Sequence, residues 1–390
     1  MFARDRLLGS WWGTRSFLED NGLTFNLTLT TVYQHNAHGG LQTKNAHKIT
    51  GSYGLELTLD LGAMKLIDGG TVYALAEGGW SDGVDEYVGS LFGVNGEAFG
   101  DEEVVLSELW YEQKILGEAL RVRGGKIDLT VDFDTNAYAN DSVTQFLNNG
   151  LANTANIPFP EPGHGVQLVA TPCPWFYFAA GGADADAENV RAGFDTAYHG
   201  PDNFFSIYEF GVTPTLETAW GKLPGAYRVG MWHDPRAKEK FFNDRFGYRL
   251  SVPLKRDDVG FYAGFDQAVF RENPADSSDE QGLGVFARYG YAHSDVNEIE
   301  NFWSVGWQYL GLIPTRDEDT LGFGVASGIL SDKLTRIGRD PHHETVLETY
   351  YRMQILPWLS VSPDFQWILR PDGENGRDAF VAGFRVQMSF

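Results

Sequence analysis

The stretch AFVAGFRVQMSF, residues 379–390, alternates between two kinds of side chain. Apolar side chains stand at Phe380, Ala382, Phe384, Val386, Met388 and Phe390. Between them lie Gly383, Arg385, Gln387 and Ser389. Because successive side chains of a strand point to opposite faces, this period of two predicts a strand with one apolar and one polar face. The strand runs to an aromatic residue, Phe390, with no polar tail after it, an ending that soluble β-sandwiches seldom have.

The same period of two begins at Leu23 and recurs through most of the chain. In residues 23–33 and 53–61, leucine and aromatic residues alternate mainly with threonine, glycine and acidic residues. Each run is about ten residues long, which is the length that a tilted strand needs to cross a bilayer. With residues 379–390, thirteen further runs bring the total to sixteen: 70–80, 103–114, 119–126, 164–171, 175–183, 204–213, 225–233, 258–271, 282–291, 302–310, 319–327, 344–355 and 358–369. Residues 246–252 also alternate, but their neighbours indicate a long loop, so they are left out of the sixteen.

The connections between these runs alternate in length. Short ones, such as residues 171–174 and 356–357, take turns with long segments rich in glycine and acidic residues. The long segments are 34–52, 81–102, 127–163, 184–203, 233–257 and 328–343. Short turns at one end and long loops at the other are typical of outer-membrane barrels. No internal repeat of fixed period appears, which argues against a propeller.

Composition narrows the possible classes. The 390-residue chain contains no run of about 18 apolar residues, so it has no transmembrane helix, and any membrane-spanning structure must be a barrel. A net charge of -23 would repel the phosphate backbone, so we expect no nucleic-acid partner. Only residues 1–22 favour a helix, which predicts either a packing helix or a lid at the periplasmic mouth. This start has no apolar signal region, so any secretory signal would already have been removed. Cys173, the single cysteine, excludes an intrachain disulfide.

Sorting the strand residues by face separates apolar from charged side chains. One face carries Trp303, Val305, Trp307, Tyr309, Leu321, Phe323, Val325, Leu359, Val361, Phe365 and Trp367. The opposite face carries Glu56, Asp60, Arg121, Arg123, Glu209, Arg228, Asp266, Arg288, Glu348, Arg352, Asp364, Gln366, Arg385 and Gln387. A sealed core does not hold a dozen charges, whereas a water-filled lumen does. The sequence therefore predicts an all-β fold, a transmembrane antiparallel β-barrel of about sixteen strands with a short N-terminal helix.

With these strands in place, the chain resembles the carbohydrate-selective porins of bacterial outer membranes (the OprB-type family). The resemblance is carried by the order and spacing of short motifs. They are Leu8-Gly9 with Gly13 and Arg15, Gly125-Lys126-Ile127-Asp128, Phe146-Leu147-Asn148, Leu223-Pro224-Gly225 with Gly230, Asp266-Gln267, Gly282-Leu283 with Phe286, Gly311 with Arg316 and Asp319, Glu348 with Tyr351-Arg352, and Pro357-Trp358-Leu359 with Pro363-Asp364 and Gln366. The motif Arg370-Pro371-Asp372-Gly373 departs from the Pro-Gly-Gly turn of the family.

The resemblance implies a periplasmic helical segment at 1–22 and an outer-membrane barrel at 23–390 that lets sugars diffuse into the periplasm. It also implies that the long loop 127–163 folds into the pore. The partners expected are outer-membrane lipid, small neutral sugars, and the barrel assembly machinery through Phe390. Association into a homotrimer is left open.

A sugar-selective pore needs charged groups for hydroxyls and aromatic rings for the apolar ring face. The candidate pore-lining residues are Arg121, Arg123, Lys126, Glu56, Asp60, Glu209, Arg228, Trp232, Asp266, Arg288, Glu348, Tyr350, Arg352 and Arg385. Trp232 and Tyr350 are candidate stacking surfaces for the sugar ring. Arg121, Arg123 and Lys126, just before the longest loop, either contact solute or anchor that loop. Glu348 and Arg352 are expected to form a salt bridge on the wall.

Loop histidines and acidic residues raise the possibility of metal binding. His35, His38 and His47 share one predicted loop and His342-His343-Glu344 lies in another, but without a second ligand pair we expect them to be solvated. The acidic residues Asp82, Asp85, Glu86, Glu97, Asp101, Glu102 and Glu103 either bind Ca²⁺ or face water, and water is the favoured interpretation. No cofactor is expected.

Three functions are consistent with these features of the sequence. The preferred one is a porin for passive diffusion of carbohydrates. A general or cation-preferring diffusion porin is the second, although six acids and six arginines balance on the inner face. The third is a secreted β-rich carbohydrate-active enzyme with paired carboxylates. The chain has no nucleophile elbow, no H-E-x-x-H motif and no phosphate-binding glycine loop. A soluble enzyme would also need a closed core, which the inward charges make unfavourable. We therefore expect no enzyme.

Overall fold

The computed structural model describes residues 4–100, 104–188, 203–242, 253–276 and 279–390. It forms one closed, antiparallel barrel of sixteen strands. The strands are β1 Leu23–His38, β2 His47–Asp60, β3 Gly70–Trp80, β4 Val105–Ile115, β5 Leu120–Ile127, β6 Gly163–Cys173, β7 Phe176–Asp184, β8 Phe204–Val212, β9 Gly221–Asp234, β10 Asp258–Arg271, β11 Gly282–Tyr291, β12 Ile299–Leu310, β13 Thr320–Leu330, β14 His343–Leu356, β15 Leu359–Leu369 and β16 Ala379–Ser389. The predicted fold class is confirmed.

Each strand pairs with its neighbour in sequence, and the first pairs with the last. Thr28 lies opposite Ser389 and Tyr33 opposite Phe384, so β1 and β16 close the sheet into a cylinder. A short strand, Thr215–Thr218, continues β8 beyond a break and pairs with the start of β9. Closure leaves no unpaired sheet edge, which satisfies the backbone groups that a membrane cannot solvate.

The helices are short. They are the 3-10 turns Trp11–Gly13, Leu129–Val131, Asp332–Ile337 and Pro371–Gly373 and the α-helices α1 Thr14–Asp20, α2 Asp85–Val88 and α3 Asn149–Ala152. No helix within the described ranges has the length and apolar character needed to span a membrane. A two-stranded ribbon, Lys238–Glu239 with Leu254–Lys255, forms between β9 and β10.

Period-two patterning decides which face of each strand is exposed. On the outer face, Trp303 is 37% exposed, Val305 46% and Trp367 53%. Arg288 and Gln366, on the inner face, are buried. Residues opposite each other on antiparallel strands share a face, so the exposed apolar side chains lie on the outer surface and the charged wall residues lie inside.

Two apolar clusters lie inside the barrel, where loop residues pack on the wall. One brings Phe146 and Leu151 against Phe286 and Tyr350. The other brings Leu129 and Phe133 against the wall of β7 to β10. Glycines on the inner wall make room for this packing, because a Cβ at Gly284 would overlap the ring of Tyr138.

The first two strands run further than their predicted ends on the side of the long loops. β1 continues to His38 and β2 begins at His47, so His35 and His47 are cross-strand neighbours and not loop residues. The prediction that these histidines belong to one loop was wrong, because the hairpin continues its hydrogen-bonded ladder past the apolar band. Residues 246–252, which were assigned to a loop, lie outside the described residues.

Candidate functional site

Two loops enter the barrel interior. The segment 128–162, between β5 and β6, meets the far wall, where Glu348 accepts hydrogen bonds from the backbone N–H groups of Leu147 (2.6 Å) and Asn148 (3.0 Å). The segment 81–100, between β3 and β4, enters beside it. Its Val94 carbonyl accepts from the side chains of Gln34 (3.0 Å) and Gln366 (2.9 Å). The sequence did not indicate that this second segment lies inside.

Three of the candidate arginines bond loop carbonyls. Arg288 donates to the carbonyls of Leu151 and Asp134, both at 3.2 Å, and to that of Ala139. Arg385 donates to the carbonyls of Ser142 and of Gln145 (2.9 Å). Arg228 donates to the carbonyl of Thr135 and, at 2.9 Å, to the Asp266 carboxylate. These guanidinium groups therefore fix the backbone of the inward segment 128–162.

Two candidate acids bond loop amides in the same way. Glu209 accepts from the backbone N–H of Asp134 at 3.1 Å, and from the hydroxyls of Tyr177 and Tyr262. Glu348 bonds the loop amides and not Arg352, whose guanidinium donates to Gln354 at 2.8 Å. The predicted Glu348–Arg352 salt bridge was therefore wrong. Four residues along a strand span about 13 Å, which is too far for a direct contact.

Carboxylates of the inward loops are also buried. Burial raises the pKa of Asp134, an effect opposed by nearby Arg288 and by hydrogen bonds from Thr154. Burial likewise raises the pKa of Glu97, against hydrogen bonds from Ser142 (2.6 Å) and Ser52. The expectation that the acids of this loop face water was wrong for Glu97, because the segment 81–100 folds inward.

Neither candidate stacking residue presents a free ring. Trp232 is 0% exposed and packs parallel to Phe205, with ring centroids 6.4 Å apart. Tyr350 is 1% exposed, meets Phe146 edge to face at 5.0 Å, and donates its hydroxyl to Gln308. Their assignment as surfaces for a sugar ring was wrong, because the inward loops and the neighbouring wall cover both rings.

Two further candidates have local structural contacts. Asp60 ends β2 and is exposed, where its carboxylate accepts from the backbone N–H groups of Gly62 (2.9 Å) and Ala63 (3.0 Å). It caps the turn that follows β2 at the barrel rim. Lys126 is buried and donates to the Leu106 carbonyl at 2.7 Å.

The remaining arginines lie beside the start of the inward segment 128–162. Arg123 is buried and joins Glu112 (3.0 Å) to Asp132 of the loop (2.5 Å). Arg121 contacts the same two acids at 3.4 and 3.6 Å, but a third of its side chain is exposed. Arg121 and Asp132 line a cavity of about 410 Å³ that reaches Tyr177 and Arg228.

An aromatic pair that was not among the candidates borders these groups. The rings of Tyr73 and Trp110 stack with centroids 4.9 Å apart, and the Arg123 guanidinium lies 4.1 Å from the centre of the Trp110 ring. Both rings are half-buried. Glu56 lies on the same wall and accepts from Asn26 at 3.1 Å. Tyr73 and Trp110 both sit at inward positions of alternating strands, so the period-two pattern itself is the signal that could have identified them.

No trio of His, Cys, Asp or Glu side chains in the described ranges is placed to hold a metal ion. Asp85, one of the acids considered for Ca²⁺, accepts from the backbone N–H of Val94 at 2.6 Å, and Glu86 pairs with Lys48 at 3.0 Å. Asp101 and Glu102 lie outside the described residues.

Several curated relatives are described as porins. Porin B of Pseudomonas aeruginosa is 22% identical to this chain, and the match covers 98% of the chain and 91% of the relative. The putative porin QuiX of Acinetobacter baylyi is 21% identical, with 100% of this chain and 94% of the relative covered.

Solved structures support the fold independently. The high-pH structure of Pseudomonas putida OprB superposes with a TM-score of 0.88 at 22% identity, covering 100% of this chain and 99% of that chain. OmpT of Vibrio cholerae, in its trimer form, superposes with a TM-score of 0.53 at 13% identity over 94% of this chain and 99% of that chain. Residues 44–390 match the family described as carbohydrate-selective porin, OprB family. With the barrel, its inward loops and this match over most of its length, the chain belongs to the carbohydrate-selective porins of the OprB family.

Proposed function

We propose that neutral sugars cross this outer-membrane porin along the wall formed by β2 to β6, past Arg121, Asp132 and the Tyr73–Trp110 pair. The observation that carries the proposal is the contrast between two sets of inner side chains. Arg228, Arg288 and other wall charges bond the loop backbone. Arg121 and the two rings stay partly exposed in the lumen.

The chemistry of this wall fits a sugar. A sugar presents hydroxyls, which suit a guanidinium and a carboxylate, and an apolar ring face, which suits an aromatic surface. A hydrogen bond to a charged group contributes about 1.5–3 kcal/mol before the loss of solvation is subtracted. The net attraction is then weak, and weak binding with fast release is what passive transport requires.

The family and fold are those of bacterial outer-membrane proteins and of channels. We place the long loops outside the cell and the short turns, with the N-terminal segment, in the periplasm. Solute moves down its gradient without a reaction, so the inner acids have electrostatic and structural roles. Outer-membrane lipid surrounds the apolar face, and Phe390 is proposed as the contact for the assembly machinery.

The test replaces Arg121 by Ala and, separately, Trp110 by Leu in protein reconstituted in liposomes. Arg123 is left intact because it also ties Asp132 to the wall. We expect the rate of monosaccharide-driven swelling to fall by about three- to tenfold, the factor that about 0.7–1.4 kcal/mol represents. Arg377→Ala, which removes an exposed arginine from an outer loop, is the matched control and should swell at the parent rate.

A second measurement separates the sugar porin from a general or cation-preferring one. Glu56, Glu77 and Glu108 lie on the same wall and favour cations. If sugar leaves the single-channel current of the parent unchanged, and a salt gradient at 1 M KCl still shows strong cation preference, the sugar pathway proposed here is wrong. The cation-preferring porin then becomes the better assignment.

A further inference from the structure

The N-terminal segment exposes large apolar side chains that the pore does not explain. Trp12 is fully exposed at 102%, Phe17 is 65% exposed and Leu8 is 50% exposed. The three residues lie within ten positions of one another and beside a rim of polar side chains. A concentrated apolar surface of this kind marks an interaction site more often than a water-facing one.

The segment is held on the seam that closes the barrel. The Trp11 ring stacks on Phe25 of β1, with centroids 4.8 Å apart. Arg15 lies 4.8 Å above the same Phe25 ring and donates to the Phe25 carbonyl at 2.6 Å and to the Phe390 carbonyl at 3.1 Å. The backbone N–H of Leu7 donates to the Ser389 carbonyl at 2.9 Å. The segment therefore bridges β1 and β16.

The Phe25 ring belongs to the outer face of the wall. Phe25 lies opposite Leu57, which is 37% exposed, whereas the next residue, Asn26, donates to the inward Glu56. Because neighbouring residues of a strand face opposite ways, Trp11 stacks on the apolar outside of the barrel. The segment does not act as a lid across the mouth, which was one of the two roles expected from the sequence.

The backbone turns sharply between the two tryptophans. Trp11 has φ 49° and Trp12 has φ 56°, followed by Gly13 at 93°. Bulky residues rarely adopt this left-handed conformation, and it persists where the surroundings enforce it. Its effect here is to separate two adjacent aromatic rings, with Trp11 packed on Phe25 and Trp12 left fully exposed.

We propose that residues 4–20 form an interfacial anchor that docks on the phospholipid headgroup layer at the periplasmic side of the membrane. Tryptophan is enriched at membrane–water interfaces because its ring is apolar and its N–H is polar. Other turns at this end expose Trp175 (59%) and Trp220 (55%), whereas β1 and β16 contain no tryptophan. Trp12 thus completes the interfacial aromatic girdle at the seam.

The charge of the N-terminal segment and its contact with the apolar outer wall both favour a lipid partner. Arg4 lines a cavity of about 780 Å³ that also contacts Trp12, and its guanidinium suits a lipid phosphate, whereas Arg6 donates to the Phe25 carbonyl at 3.1 Å and lies 3.7 Å from Glu19. Through Trp11 and Phe25 the segment adjoins the apolar outer face of β2, where Leu57 is 37% exposed. The inference does not depend on which solute the pore conducts.

The test measures the depth of position 12 in the bilayer. Cys173 is replaced by Ser, single cysteines are introduced as Trp12→Cys, Leu57→Cys and Glu118→Cys, and a small fluorophore is attached. The proteins are reconstituted in phosphatidylethanolamine and phosphatidylglycerol vesicles whose lipids carry a nitroxide either near the headgroup or deep in the acyl chain. We expect the shallow nitroxide to quench position 12 at least twofold more than the deep one.

Two positions calibrate the result. Leu57, on the lipid-facing wall, should be quenched by lipid nitroxide, and Glu118, exposed in the turn between β4 and β5, should not. Phe17→Cys supplies a second site in the same segment if labelling at position 12 disturbs the seam. Quenching at positions 12 and 17 by aqueous iodide, as at position 118, and none by lipid nitroxide would overturn the proposal.

Discussion

Arg288 makes more hydrogen bonds to the inward segment 128–162 than Arg228 or Arg385 does. Its guanidinium is buried and donates to the carbonyls of Leu151, Asp134 and Ala139, and to the Asn140 side chain at 3.1 Å. We expect Arg288→Met to loosen the segment, because each buried acceptor left without a donor costs about 1–3 kcal/mol. Single-channel recording should show added open-channel noise and a shifted conductance.

The control for this prediction is Arg377→Met, which changes an exposed arginine of an outer loop. Both proteins should still run as folded barrels, because the sixteen-strand ladder does not include either side chain. Parent-like, quiet currents in Arg288→Met would mean that packing of Phe146 and Leu151 is sufficient to hold the loop, and that Arg288 is dispensable for it.

At this scale the sequence reveals which side of the wall a residue faces, but not what it touches. The alternation correctly predicted that charged side chains such as those of Arg228, Arg288 and Arg385 face inward. Their partners are loop groups 93 to 243 positions away in sequence, and a loop conformation follows from such distant contacts and not from local patterning. The predicted salt bridge between Glu348 and Arg352 was wrong for a simpler reason, because the two residues are too far apart along the strand.

At the scale of elements, the sixteen strands were predictable because each had to alternate over about ten residues. The inward position of the segment 81–100 was not predictable. Its sequence is rich in glycine and acidic residues, as the sequence of an exposed loop also is. Its position depends on a few contacts, such as the bonds from Gln34 and Gln366 to the Val94 carbonyl, which no local pattern encodes. The N-terminal segment was recognised as helical, but its attachment to the outer seam was not.

The last strand carries a prediction of its own. The backbone N–H of Phe390 donates to the Leu27 carbonyl at 2.9 Å, and its own carbonyl accepts from Arg15. We expect removal of Phe390 to reduce the amount of barrel in the outer membrane while synthesis continues, because it removes the proposed contact with the assembly machinery. Membrane fractionation, with a blot of total and heat-modifiable protein, measures both quantities.

The variant Arg15→Ala separates the two roles of this terminus. It removes the donor to the Phe390 carbonyl and leaves the terminal ring in place. We expect it to assemble in normal amounts but to lose its compact form at a lower temperature. Normal levels of barrel in the chain without Phe390 would show that the terminal residue is not read during assembly.

The whole molecule combines a strong net charge with a lumen whose arginines are largely occupied. The chain carries -23, and Arg228, Arg288 and Arg385 direct their donors to loop carbonyls. A charge spread over loops and walls acts over distance and gathers cations at the mouth of the channel. Such a field is screened by salt, with a Debye length of about 10 Å at 0.1 M and about 3 Å at 1 M.

We therefore expect a cation preference that is present at 0.1 M KCl and nearly lost at 1 M. Reversal potentials across a planar bilayer, measured with the same concentration ratio at both ionic strengths, give this preference directly. Charges in direct contact with the permeating ion are screened much less than distant ones. A preference that stayed equal at 1 M would thus locate its source in the constriction, on the wall that carries Glu56 and Glu108. In that case Glu56→Gln should lower it, whereas under the prediction made here the same substitution leaves it nearly unchanged.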